Sequence, residues 1–251
     1  SKRIIVTDTS WTCAMESPVM FADIYDGETY DARISTKWML PSFNDGSWKN
    51  CVYNTEFKGD IVSGYTTTIA VRKDLQREAV SVAIYDGIVG ATDKEYGKIN
   101  IVRTSKSGNF ALATGEMAVI DFGQNFAGWE KFKVSGDAGT KITILHGEML
   151  NDSNGVISRG NDGPEGSIYQ KNLRTARAQT NYILKGEGVE EYHPAFTYYG
   201  FRYIQIIVDS PVEFHGICGE VVTSVTEDTG FIETIMSLLF RVYLYMFLRY
   251  M

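Results

Sequence analysis

Short runs of alternating apolar and polar residues dominate the chain as far as residue 225. Residues 141–145, Lys-Ile-Thr-Ile-Leu, are an example, and a period of two is typical of a strand with one buried face. Turn signals such as Asp26-Gly27 and Asp86-Gly87 separate the runs. Many short strands without alternating helices favour antiparallel β-sandwiches. Strands are predicted at residues 2–7, 66–71, 80–85, 98–102, 118–122, 131–134, 141–146, 180–184, 202–208 and 219–223.

Two stretches depart from this pattern. Residues 151–167 are polar and rich in glycine, and a loop of that length inside a domain is usually functional or mobile. Residues 235–248 are almost wholly apolar, interrupted by Ser237 and Arg241, which favours a helix. The second stretch is too short and too interrupted to predict a membrane span.

Composition narrows the class of protein. With 251 residues, 44% of them hydrophobic and 22% charged, the sequence is typical of a soluble globular chain with a sizeable core. The formal net charge of -7 and the lack of a Lys/Arg cluster argue against a nucleic-acid partner. An acidic surface suits neutral partners such as sugars, and the 15 Tyr, 13 Phe and 4 Trp favour strands.

The three cysteines give little indication of chemistry. Cys13, Cys51 and Cys218 lack the spacing of a metal or redox motif, and their odd number argues against a disulfide scaffold. The first residues do not resemble a signal peptide. The compartment stays open, with a periplasmic or secreted protein favoured over a cytoplasmic one.

Six ordered motifs carry a family resemblance. Residues 23–33, DIYDGETYDAR, resemble the D-I-Y-x-G-E-x-Y-D-A-R segment of bacterial α-L-rhamnosidases, glycoside hydrolase family 78. The resemblance extends over roughly residues 5–225. The other similar segments are TDTSW at 7–11, FNDGSW at 43–48, DFGQNFAGW at 121–129, HGEML at 146–150 and FTYYGFRY at 196–203.

The resemblance implies a mainly β protein of two antiparallel β-sandwich, jelly-roll modules and a short C-terminal helix. Residues 1–55 would be the last part of a galactose-binding-like sandwich, a type that includes rhamnose-binding modules with calcium. Residues 56–225 would be a second sandwich with an insertion near 86–108. Residues 226–251 would be a linker helix leading into an (α/α)6 catalytic barrel outside this sequence.

In this family the barrel carries the acid and base carboxylates that remove terminal α-L-rhamnose with inversion. The resemblance therefore implies a non-catalytic N-terminal part that provides scaffold and carbohydrate binding. Its partners would be a rhamnose-containing glycoside and the catalytic domain of the same parent protein. Two alternatives stay open: a stand-alone carbohydrate-binding or structural β-sandwich protein, and a different enzyme using Glu148 and Asp121, which lacks a nucleophile motif such as GxSxG.

The acidic cluster Asp23, Asp26, Glu28 and Asp31 is the strongest candidate for ligand chemistry. Its oxygens are of the type that calcium and sugar hydroxyls bind, although the spacing is not that of an EF-hand. One alternative is a turn with solvated acids and an Asp31–Arg33 pair. Another is a buried ion pair between Glu28 and Arg33.

A second candidate is an interface with the catalytic domain, which the resemblance implies for the loop at 151–167 and the ten residues after it. The alternative is a mobile surface loop. The proposed interface residues are Asn151, Asp152, Tyr169, Arg174 and Arg177.

Other polar positions are weaker candidates. Gln124 and Asn125 either contact a ligand or satisfy a backbone bend. His146 and Glu148 have the types needed for acid–base work, whereas a metal site there lacks other histidines at ligand-like spacing. In residues 198–203 a period of two places the odd-numbered aromatic residues on one face and Arg202 on the other, where we expect it to be stacked or paired.

Overall fold

The computed structural model describes residues 4–34, 36–62, 64 and 68–224, so the helix predicted at 226–251 lies outside the described residues. Five single-turn 3-10 helices are present in the described part, at Lys37–Met39, Lys73–Leu75, Ser153–Gly155, Ile157–Arg159 and Lys171–Leu173. Its strands are β1 Thr12–Cys13, β2 Val19–Asp23, β3 Gly27–Asp31, β4 Lys49–Asn50, β5 Ala70–Val71, β6 Arg77–Glu78, β7 Ser81–Val89, β8 Lys98–Ser105, β9 Asn109–Leu112, β10 Met117–Gly136, β11 Lys141–Gly147, β12 Met149–Leu150, β13 Ile168–Tyr169, β14 Gln179–Ile183, β15 Glu190–Tyr192, β16 Tyr199–Val208 and β17 Val212–Thr223.

Strand β10 organises the large sheet because it changes neighbours along its length. Residues 117–121 pair with β7 on one edge and β16 on the other. After a register shift between Asp121 and Phe126, residues 128–136 pair with β17, and residues 132–134 also pair with β15. One continuous strand thus contributes to two layers, and the main core lies between them.

The core is built from inward-facing residues of these layers. Ile142 and Ile144 of β11 pack with Ile204 and Ile206 of β16, and all four are fully buried. Aromatic rings fill the other end, where Phe132 contacts the rings of Tyr182, Tyr192 and Phe214. The apolar alternation in these strands is therefore the signature of a packed sandwich.

The N-terminal strands join the same sheet. Strand β3 pairs in parallel with β14, from Gly27 opposite Gln179 to Asp31 opposite Ile183, and β2 pairs with the other edge of β3. The mainly β prediction is confirmed, but the large sheet is mixed rather than wholly antiparallel. Among the described residues, no helix has the length and apolar character that crossing a membrane requires.

Most predicted strands are confirmed, including those at 80–85, 98–102, 118–122 and 141–146. The strand predicted at 2–7 is wrong over its described residues, because 4–7 form no strand and Ile4, Ile5 and Val6 are exposed. An alternating pattern alone does not make a strand when no neighbouring strand offers hydrogen bonds. Of the strand predicted at 66–71, residues 70–71 form one, whereas 66 and 67 lie outside the described residues.

Candidate functional site

The acidic residues around β3 are directed to separate partners. Asp23 accepts hydrogen bonds from the backbone N–H groups of Asp26 and Tyr25 at 2.9 and 2.8 Å, which hold the pKa of its carboxyl below the usual range. Asp31 accepts two hydrogen bonds from the Arg33 guanidinium, at 2.9 and 2.8 Å. This region therefore contains the turn and the Asp31–Arg33 pair that the sequence offered as one alternative.

Glu28 is the buried member of the group. Its side chain accepts hydrogen bonds from the Tyr192 hydroxyl and from the backbone N–H groups of Ala195 and Phe196, at 3.0 and 2.9 Å for the last two. Burial, and then the neighbouring Glu28 carboxyl, raise the pKa of Tyr192. The predicted Glu28–Arg33 ion pair is wrong, since Glu28 bonds to residues 192–196 and the Arg33 side chain bonds to Asp31.

The four carboxylates do not converge on one point. Glu28 and Asp31 are three residues apart on a strand, so they lie on opposite faces of the sheet. Asp26 faces the Arg177 guanidinium at 3.6 Å. Within the described ranges, no group of three or more His, Cys, Asp or Glu side chains is placed to hold a metal ion. The structure thus does not assemble Asp23, Asp26, Glu28 and Asp31 into a calcium site.

A buried polar pair occupies the centre of the sandwich. His146 Nε2 lies 2.6 Å from Glu130 Oε2, and both side chains are completely excluded from solvent. The Tyr199 ring stacks on the imidazole with centroids 3.7 Å apart, and the Phe201 ring meets it edge-on. Enclosed in this way, His146 and Glu130 cannot reach a substrate, so the pair is structural.

The hydrogen bonds define the protonation of this pair. His146 Nδ1 lies 2.8 Å from the carbonyl oxygen of Ala178, which can only accept, so Nδ1 carries a hydrogen. One proton is then shared along the contact between Nε2 and the Glu130 carboxyl. Wherever it resides, the pair carries no net charge, which is the form that a dry interior tolerates.

The alternating pattern of the sequence indicates that Glu130 is buried, although a glutamate is usually expected at the surface. Buried residues alternate along β10 as Phe126, Gly128, Glu130, Phe132 and Val134. Extending the predicted strand at 131–134 backward with a period of two places Glu130 inside. The acidic residue at an inward position indicates a buried partner, although the pattern does not identify that partner.

Asp121 and Arg202 form a partly buried pair across β10 and β16. The guanidinium donates two hydrogen bonds of 2.8 Å to the carboxylate, and it lies 4.9 Å above the centre of the Tyr203 ring. Burial alone would raise the pKa of Asp121. The hydrogen bonds from Arg202 and from the Gly123 backbone N–H lower it by more than burial raises it, so the pKa is below its ordinary value. The expected pairing of Arg202 is confirmed.

Glu148 lies on the surface, whereas His146 is buried in the core. Its carboxylate accepts hydrogen bonds from the side-chain amides of Asn125 at 2.8 Å and Asn172 at 3.3 Å. His146 and Glu148 therefore do not act together as an acid–base pair. The Asn125 side chain thus bonds to another side chain, whereas the sequence offered a ligand or a backbone bend as its partner.

The loop at 151–167 is held by an internal polar network. Asn151 is only 3% exposed, and its amide nitrogen lies 2.9 Å from Asp162 Oδ1, 3.1 Å from Ser167 Oγ and 3.1 Å from the Ile168 carbonyl. Its amide oxygen accepts the Asp162 backbone N–H at 3.0 Å. These bonds, together with the two single-turn 3-10 helices at Ser153–Gly155 and Ile157–Arg159, give the loop a defined shape.

The residues predicted to contact a catalytic domain differ in exposure. Asn151 is buried, so its side chain is not available to a partner and that assignment is corrected. Asp152 is exposed and pairs with Arg159 at 2.8 Å. Tyr169 is half-buried, whereas Arg174 and Arg177 are exposed.

An apolar surface lies beside Arg177. The Ala178 backbone N–H donates to the Tyr25 carbonyl, and the Thr197 hydroxyl donates to the Ile24 carbonyl, which brings three chain segments together. At this junction Tyr25 is 71% exposed, Phe196 63% and Ile24 48%. We call Ile24, Tyr25, Arg177 and Phe196 the Tyr25 patch. Exposed apolar side chains on adjoining chain segments mark candidate contact surfaces.

Comparisons with known proteins place this architecture in a family. The family model described as the α-L-rhamnosidase N-terminal domain matches residues 1–73. The model described as the bacterial α-L-rhamnosidase concanavalin-like domain matches residues 112–223. An α-L-rhamnosidase from Streptomyces avermitilis is 33% identical over 203 residues, which are 80% of this chain and 16% of that protein.

Solved structures agree. The crystal structure of the Streptomyces avermitilis α-L-rhamnosidase complexed with L-rhamnose superposes with a TM-score of 0.66 at 29% identity, covering 95% of this chain and 19% of that one. The α-L-rhamnosidase from Dictyoglumus thermophilum gives a TM-score of 0.61 at 30% identity, covering 88% and 20%. The chain thus spans about a fifth of the length of these relatives. Its sequence motifs, its mixed β architecture and both domain matches show that the chain belongs to the α-L-rhamnosidase family, in the region of that family's N-terminal and concanavalin-like domains.

Proposed function

We propose that this chain is the non-catalytic N-terminal β region of an α-L-rhamnosidase that removes terminal α-L-rhamnose from glycosides. The observation that carries the proposal is the order and extent of the matches: two domain types in sequence, together about a fifth of each relative. Inverting hydrolysis needs an acid and a base carboxylate about 6.5–9.5 Å apart with room for a water molecule. In the proposal, those groups belong to a catalytic domain of the same parent protein.

The chemistry of the described residues supports a bracing role. The buried carboxylates Glu28 and Glu130 are engaged inside the core by Tyr192 and His146. Asp121 is neutralised by Arg202, and Glu148 is held by two amides. Each of these acids contributes to the packing of the sandwich or of its loops, and a glycoside cannot reach the two buried ones.

The Tyr25 patch is the surface we assign to the catalytic domain. Three separate segments converge there, so a domain packed on it would contact both the N-terminal strands and the concanavalin-like sandwich. Tyr25 and Phe196 offer large apolar contacts, and Arg177, paired with Asp26 at 3.6 Å, offers a polar rim. Aromatic anchors beside an arginine are the usual composition of the central part of an interface.

Activity measurements test the non-catalytic part of the proposal. The chain incubated with an aryl α-L-rhamnoside should release no more phenol than buffer does, and turnover above that background would overturn the assignment. Calorimetry with L-rhamnose, with and without calcium, tests carbohydrate binding by the chain: no heat of binding in either case would count against the acidic cluster as a ligand site.

The assigned surface is tested in the longest protein that the reading frame encodes. Changing Tyr25 and Phe196 to Ser should lower the midpoint of thermal unfolding of the catalytic domain, because the anchors of its contact are lost. Val189→Ser is the matched control, since Val189 is 57% exposed and lies outside the patch. Equal effects of the patch variant and the control would exclude the Tyr25 patch as the interface.

A further inference from the structure

The N-terminal strands contain a pair of thiols in a short ladder of their own. Strands β1 and β4 form an isolated two-stranded sheet in which Thr12 faces Asn50 and Cys13 faces Lys49. The ladder is extended by a hydrogen bond of 2.8 Å from the Cys51 backbone N–H to the carbonyl oxygen of Trp11. Side chains two residues apart on a strand share a face, so Cys51 lies on the same face as Lys49 and Cys13.

Cys13 and Cys51 are therefore diagonal neighbours across the two strands. Diagonal positions in a regular ladder lie about 7–8 Å apart, with Cβ atoms somewhat closer. Two-stranded ladders twist more strongly than wide sheets, and this brings one diagonal nearer. The Cys13 thiol, after partial burial, contributes to raising the pKa of the Cys51 thiol, in keeping with this placement.

We propose that Cys13 and Cys51 are a disulfide-forming pair that cross-links β1 to β4 when the chain meets a small-molecule disulfide oxidant. Cys13 is exposed and is the thiol that an oxidant reaches first. Its thiolate attacks one sulfur of the oxidant, forming a mixed disulfide and releasing one thiol. The Cys51 thiolate then displaces the second thiol, so that the two protein thiols are oxidised and the oxidant is reduced by two electrons.

The surroundings explain why a cross-link matters at this place. In the described part of residues 4–62, large apolar side chains such as Trp11, Trp38 and Tyr53 are exposed, and the buried apolar core begins at Ala79. A segment with so little buried surface gains most from restriction of its unfolded state. The bond would close a loop of about 38 residues that contains β2 and β3.

The third cysteine provides the internal control. Cys218 belongs to β17 in the large sheet, and burial followed by the Glu78 and Glu220 carboxylates raises its pKa to about 11. A thiol of that kind is a poor nucleophile at neutral pH, and on the neighbouring strands Cys218 lies opposite Lys131 and Glu78 rather than beside a second cysteine. It should remain reduced while the other two react.

Peptide mapping of the full chain after incubation with oxidised glutathione tests the proposal. The folded protein should lose two thiols and yield tryptic peptides 4–33 and 50–58 joined by a disulfide, with Cys218 still free to react with an alkylating reagent. The same treatment in urea should give a mixture of pairings. Pairing of Cys218 in the folded protein, or persistence of three free thiols, would overturn the assignment.

Cysteine-to-serine variants test the same cross-link independently of the peptide mapping. Cys13→Ser and Cys51→Ser should each abolish the cross-link, and Cys218→Ser should leave it intact. The oxidised chain should be cleaved within residues 14–50 at least about tenfold more slowly by a protease than the reduced chain, because the closed loop opens less far. Equal cleavage rates of the two forms would show that the ladder is not stabilised by the bond.

Discussion

Nε2 of His146 lies 2.6 Å from Oε2 of Glu130 in the interior of the sandwich, whereas no described group bonds to Glu130 Oε1. Two polar side chains at inward positions of different strands thus bond to each other where apolar residues surround them, and Glu130 Oε1 is left without a partner among the described groups. Such a pair adds little net stability, because desolvation offsets most of the attraction.

Breaking this pair from one side should be costly. Glu130→Ala leaves the imidazole without its partner and opens a cavity, and we expect a loss of about 3–5 kcal/mol in the free energy of unfolding, measured by urea denaturation. The double variant with Glu130→Leu and His146→Phe should recover most of that loss, since it removes both polar groups and keeps a ring under Tyr199. A double variant as unstable as Glu130→Ala would show that the pair contributes more than mutual satisfaction.

Gly27 should be the least replaceable glycine of the β3 region. Its φ is +106°, and a Cβ there would collide with the Gln179 carbonyl oxygen and lie 2.6 Å from the Tyr199 hydroxyl. Gly27→Ala should destabilise the protein by more than about 3 kcal/mol, or detach β3 from β14, which hydrogen exchange would detect. Gly188→Ala is the control, because Gly188 has a φ of +86° but open space around it, and it should cost about 1–2 kcal/mol. Similar losses for both would mean that only backbone conformation matters.

Asn151→Ala should loosen the loop at 151–167 while leaving the sandwich folded. The change removes the amide that joins Asp162, Ser167 and Ile168, so hydrogen exchange of the loop should accelerate by at least about tenfold. Asn172→Ala, which removes a single exposed bond to Glu148, is the comparison and should change little. Unchanged hydrogen exchange in the Asn151→Ala variant would show that interactions other than those of the Asn151 amide hold the loop.

The Asp121–Arg202 pair should make stability sensitive to acid. The folded pKa of Asp121 is depressed, so its contribution is present above the unfolded pKa of about 3.9 and is lost as pH falls through the folded pKa. Asp121→Asn should cost about 1 kcal/mol at pH 7, a modest value because the Arg202 side chain is 39% exposed. Urea denaturation at several pH values should show the difference between variant and parent shrinking below about pH 4. A difference that stays constant down to pH 2 would assign the loss to geometry rather than charge.

The alternating pattern correctly predicted the strands that pair with a neighbour on each edge, but it was less reliable for segments at the edge of the sheet or outside it. The strands predicted at 118–122 and 141–146 form because each lies inside the sheet, between two neighbouring strands. The segment 4–7 has the same pattern but forms no strand, since it has no partner strand. The four acids of the cluster do not converge, because neighbours in sequence fall on opposite faces of a strand. Glu28 bonds to Tyr192, 164 positions away, and a one-dimensional pattern does not contain that contact.

The parallel pairing of β3 with β14 also sets an order of events during synthesis. Strand β3 leaves the ribosome about 150 residues before β14, which at typical elongation rates is a delay of about 8–30 s. Through that interval Glu28 has neither Tyr192 nor the backbone amides of Ala195 and Phe196 to bond. The first part of this chain to be made is therefore among the last to reach its native contacts. Until β14 is synthesised, the unpaired strands β2 and β3 would be sites for chaperone binding.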